Sequence, residues 1–308
     1  MPVYPFFFFL LFLQPAAPPS GGTAGPLALP DYARAFYRGD VAEAASLAVD
    51  RLKTQPADVQ ARIVLARAEA ARGRFDAAYA GFRKALEADP RNPDALYFLG
   101  ITAGVLAQAE YERLLALAPG SARAHQLQGQ SNQAQGRNAE AEAEYKAALE
   151  AGPPMPDVLV ALGDLVRQSK LDFAAARGYY ARALELAPES YEALYGIGVC
   201  DSYAGGHAKA IVSFRQALRV APGSAPAHLA LGISLLQTGE TAAAVTELEQ
   251  AAKLEPRMRQ AYYQLGRAYQ VLGRSGDAEA AFAKVQELIR QERAGAENRL
   301  DPGANPLP

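Results

Sequence analysis

Residues 191–224 read YEALYGIGVCDSYAGGHAKAIVSFRQALRVAPGS, and residues 225–258 read APAHLALGISLLQTGETAAAVTELEQAAKLEPRM. Each stretch has 34 residues and places a Gly eighth, an Ala twentieth and a Pro thirty-second. Two adjacent segments of equal length that share their small and helix-breaking residues indicate a repeated structural unit.

The same markers recur along most of the chain. Prolines follow an acidic or apolar run in steps of 34, 29, 34, 35, 34 and 34 residues, at Pro56, Pro90, Pro119, Pro153, Pro188, Pro222 and Pro256. An Ala precedes each of these prolines by twelve residues, and Ala278 continues the series. A fixed period of this length predicts a stack of repeats instead of the two globular domains that 308 residues would otherwise suggest.

Each repeat is predicted to form two helices. Residues 226–237 and 241–254 carry apolar residues at spacings of three and four, and Gly239 lies between them. Pro256 ends the second helix because it lacks an N–H group and disfavours the α conformation of the residue before it. The recurrent Gly and Ala are small because helices packed about 8–10 Å apart leave no room for a branched side chain.

This pattern resembles the tetratricopeptide repeat (TPR), in its bacterial exported type. The best match is 191–224, which has the motif residues Leu194, Ile197, Gly198, Ala210, Phe214, Ala217 and Pro222. The resemblance implies an all-α fold: a right-handed superhelical solenoid of antiparallel helix pairs with about eight repeats over residues 25–292. The repeats are 25–58 (degenerate), 59–92, 93–121 (shortened), 122–155, 156–190, 191–224, 225–258 and 259–292.

Three repeats depart from the pattern. Pro26 and Pro30 truncate the first helix of the first repeat to about residues 31–38. The third repeat is five residues short around Gly104, so its inter-helix turn or its first helix must be compressed. The last repeat lacks the closing Pro, and its charged run 286–299 is either an elongated helix that caps the array or a frayed tail. Residues 293–308 are assigned to a polar C-terminal tail.

The N-terminus predicts export. Residues 6–13 read FFFFLLFL, which is too short for a transmembrane helix but fits the apolar centre of a signal peptide. Residues 1–24 are therefore expected to be a signal peptide, and the mature protein is expected to be periplasmic or secreted. No Lys or Arg precedes the apolar run. An uncleaved N-terminal anchor and a cytoplasmic location therefore stay open as alternatives.

Composition and the candidate residues argue against catalysis, and against nucleic acid or a small molecule as a partner. The chain has 31 Lys+Arg against 33 Asp+Glu, which disfavours nucleic acid as a partner. His125 and His228 share the fourth position of their repeats and are expected to be structural, and Cys200 is expected to be a buried filler. No catalytic, metal or cofactor site is predicted, so we expect neither an enzyme nor a small-molecule substrate.

The remaining candidate site is the surface that the repeat builds. In the TPR family, the concave face formed by the first helices binds peptide segments. Reading positions 5, 9 and 12 of those helices gives the predicted groove residues Tyr97, Ile101, Gln130, Val160, Asp164, Arg167, Tyr195, Val199, Leu229, Ile233, Leu236, Tyr263 and Arg267. Aliphatic residues with Tyr and Arg at their margins have the composition of interaction hot spots.

Two specialised types of TPR protein are disfavoured. The Lys, Asn and Arg set that clamps the acidic C-terminus of a chaperone is almost absent here, and so is the Asn ladder of TPR sugar transferases. The resemblance then implies a non-enzymatic scaffold or adaptor that binds a peptide or helix of a partner protein, for example in assembling a cell-envelope complex. A structural protein that self-associates is the alternative.

Overall fold

The structure is a computed structural model that describes residues 29–300, with side chains described as far as residue 294. The predicted signal peptide, residues 1–24, and the last eight residues of the predicted tail lie outside the described residues. Residues 293–300, the first part of the predicted tail, continue the last helix.

Every regular element in the described part of the chain is an α-helix. The fifteen helices are α1 (Asp31–Tyr37), α2 (Val41–Thr54), α3 (Val59–Ala71), α4 (Phe75–Ala88), α5 (Pro93–Leu117), α6 (Ala122–Ala134), α7 (Asn138–Glu150), α8 (Pro156–Ser169), α9 (Phe173–Leu186), α10 (Tyr191–Tyr203), α11 (His207–Val220), α12 (Ala225–Gln237), α13 (Thr241–Leu254), α14 (Arg259–Val271) and α15 (Ser275–Leu300). The predicted all-α array of helix pairs agrees with this order.

Local sequence signals define the ends of these helices. Asp58, Ser121 and Ser190 each accept a hydrogen bond from the backbone N–H three residues later, which satisfies one of the free donors at a helix start. The turn between the two helices of a repeat has its Gly in the left-handed region, with φ between 71° and 84° at Gly73, Gly136, Gly205, Gly239 and Gly273. Leu171 occupies this conformation in the repeat 156–190, with φ 54°.

The two helices of a repeat meet at the eighth-position glycine. A Cβ placed on Gly198 would lie 2.5 Å from Cε1 of Phe214, so the Phe ring packs directly on the backbone of the facing helix. Equivalent contacts of 2.6–2.7 Å pair Gly129 with Tyr145, Gly163 with Tyr180, Gly232 with Leu248 and Gly266 with Phe282. Each contact joins the first helix of a repeat to its second helix, which explains why both positions recur in the sequence.

The chain divides into two compact units, one reaching Leu117 and the other beginning at Ala118. In the first unit, α1 pairs with α2, α3 pairs with α4, and α5 packs on α4. The second unit holds five antiparallel pairs, from α6 with α7 to α14 with α15. The core of each unit is a series of apolar clusters, such as the one that contains Tyr145, Leu159, Leu162 and Tyr180.

The third repeat differs from the prediction. Residues 93–121 were expected to hold two helices with a compressed turn or first helix, but residues 93–117 form one continuous helix of 25 residues. Neither Gly100 nor Gly104 adopts the positive φ that the other inter-helix turns use. With five residues fewer than a full repeat, the segment lacks the length for two helices and the turn that would reverse the chain.

The glycine contact leads to a stability prediction. Gly198→Ala places a methyl group against Phe214, and we expect it to lower the free energy of unfolding by about 1–3 kcal/mol through overpacking. Gly178→Ala is the matched control because a Cβ on Gly178, also within a helix, meets nothing within 4 Å. The control should be stabilising by about 0.5–1 kcal/mol. Thermal unfolding followed by far-UV circular dichroism tests both, and equal melting temperatures would contradict the contact.

Candidate partner-binding face

The first helices of consecutive repeats contact one another in the second unit. Helix α10 contacts α8 on one side and α12 on the other, and α12 contacts α14. Each of these helices also packs on the second helix of its own repeat. The sides of these first helices that take part in none of those contacts form one surface. We call it the first-helix face of α8, α10, α12 and α14.

Much of the apolar part of this face is half-buried. Tyr195 and Val199 pack against the core cluster that contains Phe214 and Leu231, and Val160 packs against the cluster around Leu159. Ile233 and Leu236 are also half-buried. Leu229 was predicted to line the groove, but it is only 9% exposed and belongs to the core. The side chain of Leu229 therefore contributes to the packing between repeats more than to the open surface of the face.

Aromatic side chains connect α10 to its neighbours. The ring of Tyr195 stacks on Tyr191 with centroids 5.8 Å apart and lies 5.7 Å from the ring of Phe214. The hydroxyl of Tyr191 is 2.5 Å from Oγ of Ser224, the residue that caps α12. Burial raises the pKa of Tyr195, and the nearby Tyr191 raises it further. Tyr191 is the first residue of its repeat and was not among the predicted site residues.

The polar part of the face is an ordered cluster. Arg167 donates to Oδ1 of Asp164 over 3.0 Å and to the Tyr180 hydroxyl over 3.2 Å, and that hydroxyl donates to Asp164 over 2.8 Å. Burial, reinforced by the hydrogen bond with Asp164, raises the pKa of Tyr180. Burial opposes a raised pKa at Arg167, but its hydrogen bonds to Tyr180 and Asp164 outweigh that effect. The two predicted residues are therefore fixed by each other and by a buried tyrosine.

The far end of the face is open to solvent. Tyr263 is 49% exposed, with its ring 6.1 Å from Phe282, and Arg267 is exposed beside Gln264. Gln130 is exposed on α6. Tyr97 and Ile101 lie on α5, which belongs to the other compact unit.

Comparisons with known proteins fit this geometry. A family model described as Tetratricopeptide repeat matches residues 106–156, 164–200, 202–252 and 229–296, more than half of the chain. The chain belongs to the tetratricopeptide repeat family. A second model with the same description matches residues 59–102. The match confirms the family and the fold class that the sequence predicts.

Solved structures share the TPR fold of this chain. A crystal structure of MamA is 25% identical with a TM-score of 0.51, covering 54% of this chain and 96% of MamA. The structure of MamA from residue 41 to its end, from Desulfovibrio magneticus RS-1, is 21% identical with a TM-score of 0.52 and covers 55% and 96% of the two chains. No curated protein sequence matches the chain.

Two histidines each link the two helices of a TPR repeat, which agrees with the structural role expected for them. Nδ1 of His125 lies 2.8 Å from Oε2 of Glu144, and Nδ1 of His228 lies 2.7 Å from Oε2 of Glu247. In both repeats the Glu comes 19 residues after the His, on the second helix. The two carboxylates lie on the facing helix, so the spacing of residues along a single helix does not predict them. The shared offset was the signal that could have revealed them.

Arg67 is another residue whose environment the repeat register did not predict. It occupies the ninth position of its TPR repeat, as Arg267 does, but it is only 1% exposed. Its guanidinium carbon lies 4.5 Å from the ring centroid of Phe36 and 4.6 Å from that of Phe98, as in cation–π contacts. Burial lowers its pKa. Arg67 is therefore part of the first unit's interior and not a free groove cation.

Two further features are absent from the residues that the structure describes. In this part of the chain, no group of three or more His, Cys, Asp or Glu residues is arranged to hold a metal ion. Among the same residues, no helix has both the length and the apolar character needed to cross a membrane.

Cys200 provides a test of the interior beneath this face. It is 1% exposed, and burial raises its pKa from 9.0 to about 11. At pH 8 this shift reduces the thiolate fraction roughly 100-fold, and the thiolate is the reactive form. We expect a thiol-disulfide reagent to label the native protein at least about 100-fold more slowly than the denaturant-unfolded protein, with the rate rising as the pH increases.

The control is Val212→Cys in a Cys200→Ala background, because Val212 is 56% exposed. That thiol should react at nearly the same rate in the native and the unfolded protein. Rapid labelling of native Cys200 would contradict its burial.

Proposed function

We propose that this TPR protein is a non-enzymatic scaffold that binds an extended or helical segment of a partner protein on the first-helix face of α8, α10, α12 and α14. The observation that carries the proposal is the row of half-buried apolar side chains that leads to exposed Tyr263 and Arg267. Half-buried side chains already held by the core lose little conformational entropy when a partner covers them.

The chemistry of the face indicates the kind of segment it would hold. Ile233, Leu236 and Val199 offer aliphatic surface, and Tyr195 and Tyr263 offer aromatic surface. Asp164 and Arg167 neutralise each other at 3.0 Å, which leaves Arg267 as a cation able to pair with an acidic side chain of the partner. The proposed ligand is therefore a mainly apolar segment with an acidic residue near the α14 end.

The same environments support a role without catalysis. His125 and His228 are engaged in links between helices, and the Cys200 thiol is buried with a raised pKa. A nucleophile or general base would instead need an accessible side chain with a partner that activates it. Assembly of a cell-envelope complex is one role that such a scaffold would serve.

A peptide selection tests the proposed face. Panning a phage-displayed random peptide library against the full chain, followed by fluorescence polarisation with the enriched peptide, measures binding directly. Ile233→Asp and Tyr263→Ala should each weaken binding at least tenfold, because the first puts a charge in the apolar row and the second removes an aromatic contact. Val212→Asp, an aliphatic residue on the second helix α11, is the matched control and should bind as wild type.

The outcome distinguishes the face from other binding surfaces. An enriched peptide whose affinity is unchanged by Ile233→Asp and Tyr263→Ala, but is reduced by Val212→Asp, would contradict the assignment. Far-UV circular dichroism of each variant checks that the helices are retained, and Tyr263→Ala keeps the test valid if Ile233→Asp unfolds, since Tyr263 is half-exposed.

We further propose export to the periplasm or the extracellular space, directed by the apolar run at residues 6–13. Cleavage after Gly22 or Ala24 would leave a mature protein that begins just before α1. Mass spectrometry of the native protein is expected to find a mature N-terminus near these residues in the exported fraction. Recovery of peptides from residues 1–24 on the purified native protein would contradict cleavage.

A further inference from the structure

Helix α5 carries an apolar stripe in which Leu96, Gly100 and Tyr111 are exposed and the residues between and beyond them are half-buried. Residues at spacings of four, three, four, four and three lie on one side of the helix, namely Leu96, Gly100, Ala103, Ala107, Tyr111 and Leu114. Leu96 is 51% exposed and Tyr111 is 47% exposed. The opposite side, with Ala95, Phe98 and Thr102, is buried. We call the first set the α5 stripe.

Gly100 differs from every other glycine at the eighth position of a repeat. The five equivalent glycines, from Gly129 to Gly266, each have a large side chain of the second helix within 2.7 Å of where a Cβ would lie. A Cβ on Gly100 would meet nothing within 4 Å. The side chain that corresponds to those fillers is Tyr111, which is exposed on the same helix. In the third repeat, therefore, the space beside Gly100 is empty and the ring of Tyr111 does not pack on a glycine of its own repeat.

Tyr111 cannot fill the site of its own chain while α5 is continuous. Eleven residues separate Gly100 from Tyr111, which corresponds to about 16 Å along a helix. The missing five residues of this repeat remove the turn that would bring the ring back. A shortened connection that prevents a hairpin within one chain favours the same contact between two chains.

We propose that the α5 stripe is a dimer interface at which two copies of this chain pair their α5 helices in antiparallel orientation. The stripe is self-complementary about its midpoint near residue 105. Tyr111 of each copy would then pack on Gly100 of the other, Leu96 would face Leu114, and Ala103 would face Ala107. One two-fold axis satisfies all six contacts, which gives a closed dimer.

The composition of the stripe favours a second copy over another protein. Both halves of the contact are present in this chain, and they match the glycine and ring pairs that its other repeats form internally. The stripe contains no charged residue, and Glu110 at its margin is 3.7 Å from Arg113 of the same helix. The chain's net charge of −2 adds little repulsion between copies.

The size of the interface sets its expected strength. The α5 stripe spans 19 residues, about 28 Å, which exceeds the roughly 20 Å of the 13-residue helices that pair inside other repeats. A single pair of helices of this length lies at the small end of specific interfaces, which bury about 1,200 Å² or more. We therefore expect a reversible dimer with a dissociation constant on the order of micromolar.

This interface belongs to the first compact unit, whereas the proposed first-helix face belongs to the second. Sedimentation equilibrium of the full chain tests it, over concentrations from about 1 to 200 μM that bracket the expected dissociation constant. Gly100→Leu should raise the dissociation constant at least tenfold, because a Leu side chain would occupy the space of Tyr111 from the partner copy. The change should not unfold the monomer, since Gly100 faces open space and Leu favours helix more than Gly does.

Gly178→Leu is the matched control, because Gly178 is equally open in α9, and it should dimerise as wild type. Tyr111→Ala should weaken the dimer as Gly100→Leu does. A wild-type chain that is monomeric at every concentration would overturn the proposal. So would a dimer that Gly100→Leu and Tyr111→Ala leave unchanged.

A distance measurement separates the dimer from a hairpin within one chain. Spin labels at Asp94→Cys and Leu117→Cys, in a Cys200→Ala chain diluted with unlabelled protein, report the intrachain distance by pulsed electron paramagnetic resonance. A continuous α5 places these backbone positions about 35 Å apart, whereas a fold-back near Gly104 would bring them within about 15 Å. The long distance confirms the continuous helix that the pairing of two copies requires, and the short one overturns the proposal.

Discussion

The close approach of the two helices in each repeat is the constraint on which the structure depends. In the five repeats of residues 122–292, a ring or Leu from the second helix rests on a glycine of the first, so that an added Cβ would lie only 2.5–2.7 Å from that side chain. This contact fixes which stripe of the first helix faces its partner. The remaining stripe is then free to contact the next repeat and to form the first-helix face. Helix caps and turn glycines determine where each helix ends, but they do not determine which side of the first helix faces its partner.

The sequence predicted the helix pairs well because this contact requires small residues at fixed positions. It failed at residues 93–121, where Gly100, Ala107 and Tyr111 occur in the right order but form one helix. The recurrent Gly, Ala and aromatic residues indicate which side chains would come into contact if the chain reversed its direction. They do not say whether enough residues remain to form the turn, and here the turn is missing.

Burial on the candidate face was harder to predict than helix position. Arg67 and Arg267 both occupy the ninth position, but Arg67 is buried between Phe36 and Phe98 while Arg267 is exposed. Leu229 and Tyr263 share the fifth position, and only Tyr263 is exposed. The repeat register fixes the direction in which a side chain leaves its helix. Its exposure depends on the side chains of adjacent repeats, which differ from one repeat to the next.

The interruption at α5 follows from the way a repeat protein is stabilised. Each repeat contacts only its neighbours, so stability is close to a sum of pair contacts along the chain. Losing one hairpin removes one such contact without altering the others, and the division into compact units falls where α5 ends, after Leu117. The surface that would have been buried in that hairpin stays on α5 instead. Gly100, Ala107 and Tyr111 keep the order of the packing residues of a helix pair, but the repeat is too short to hold the turn as well.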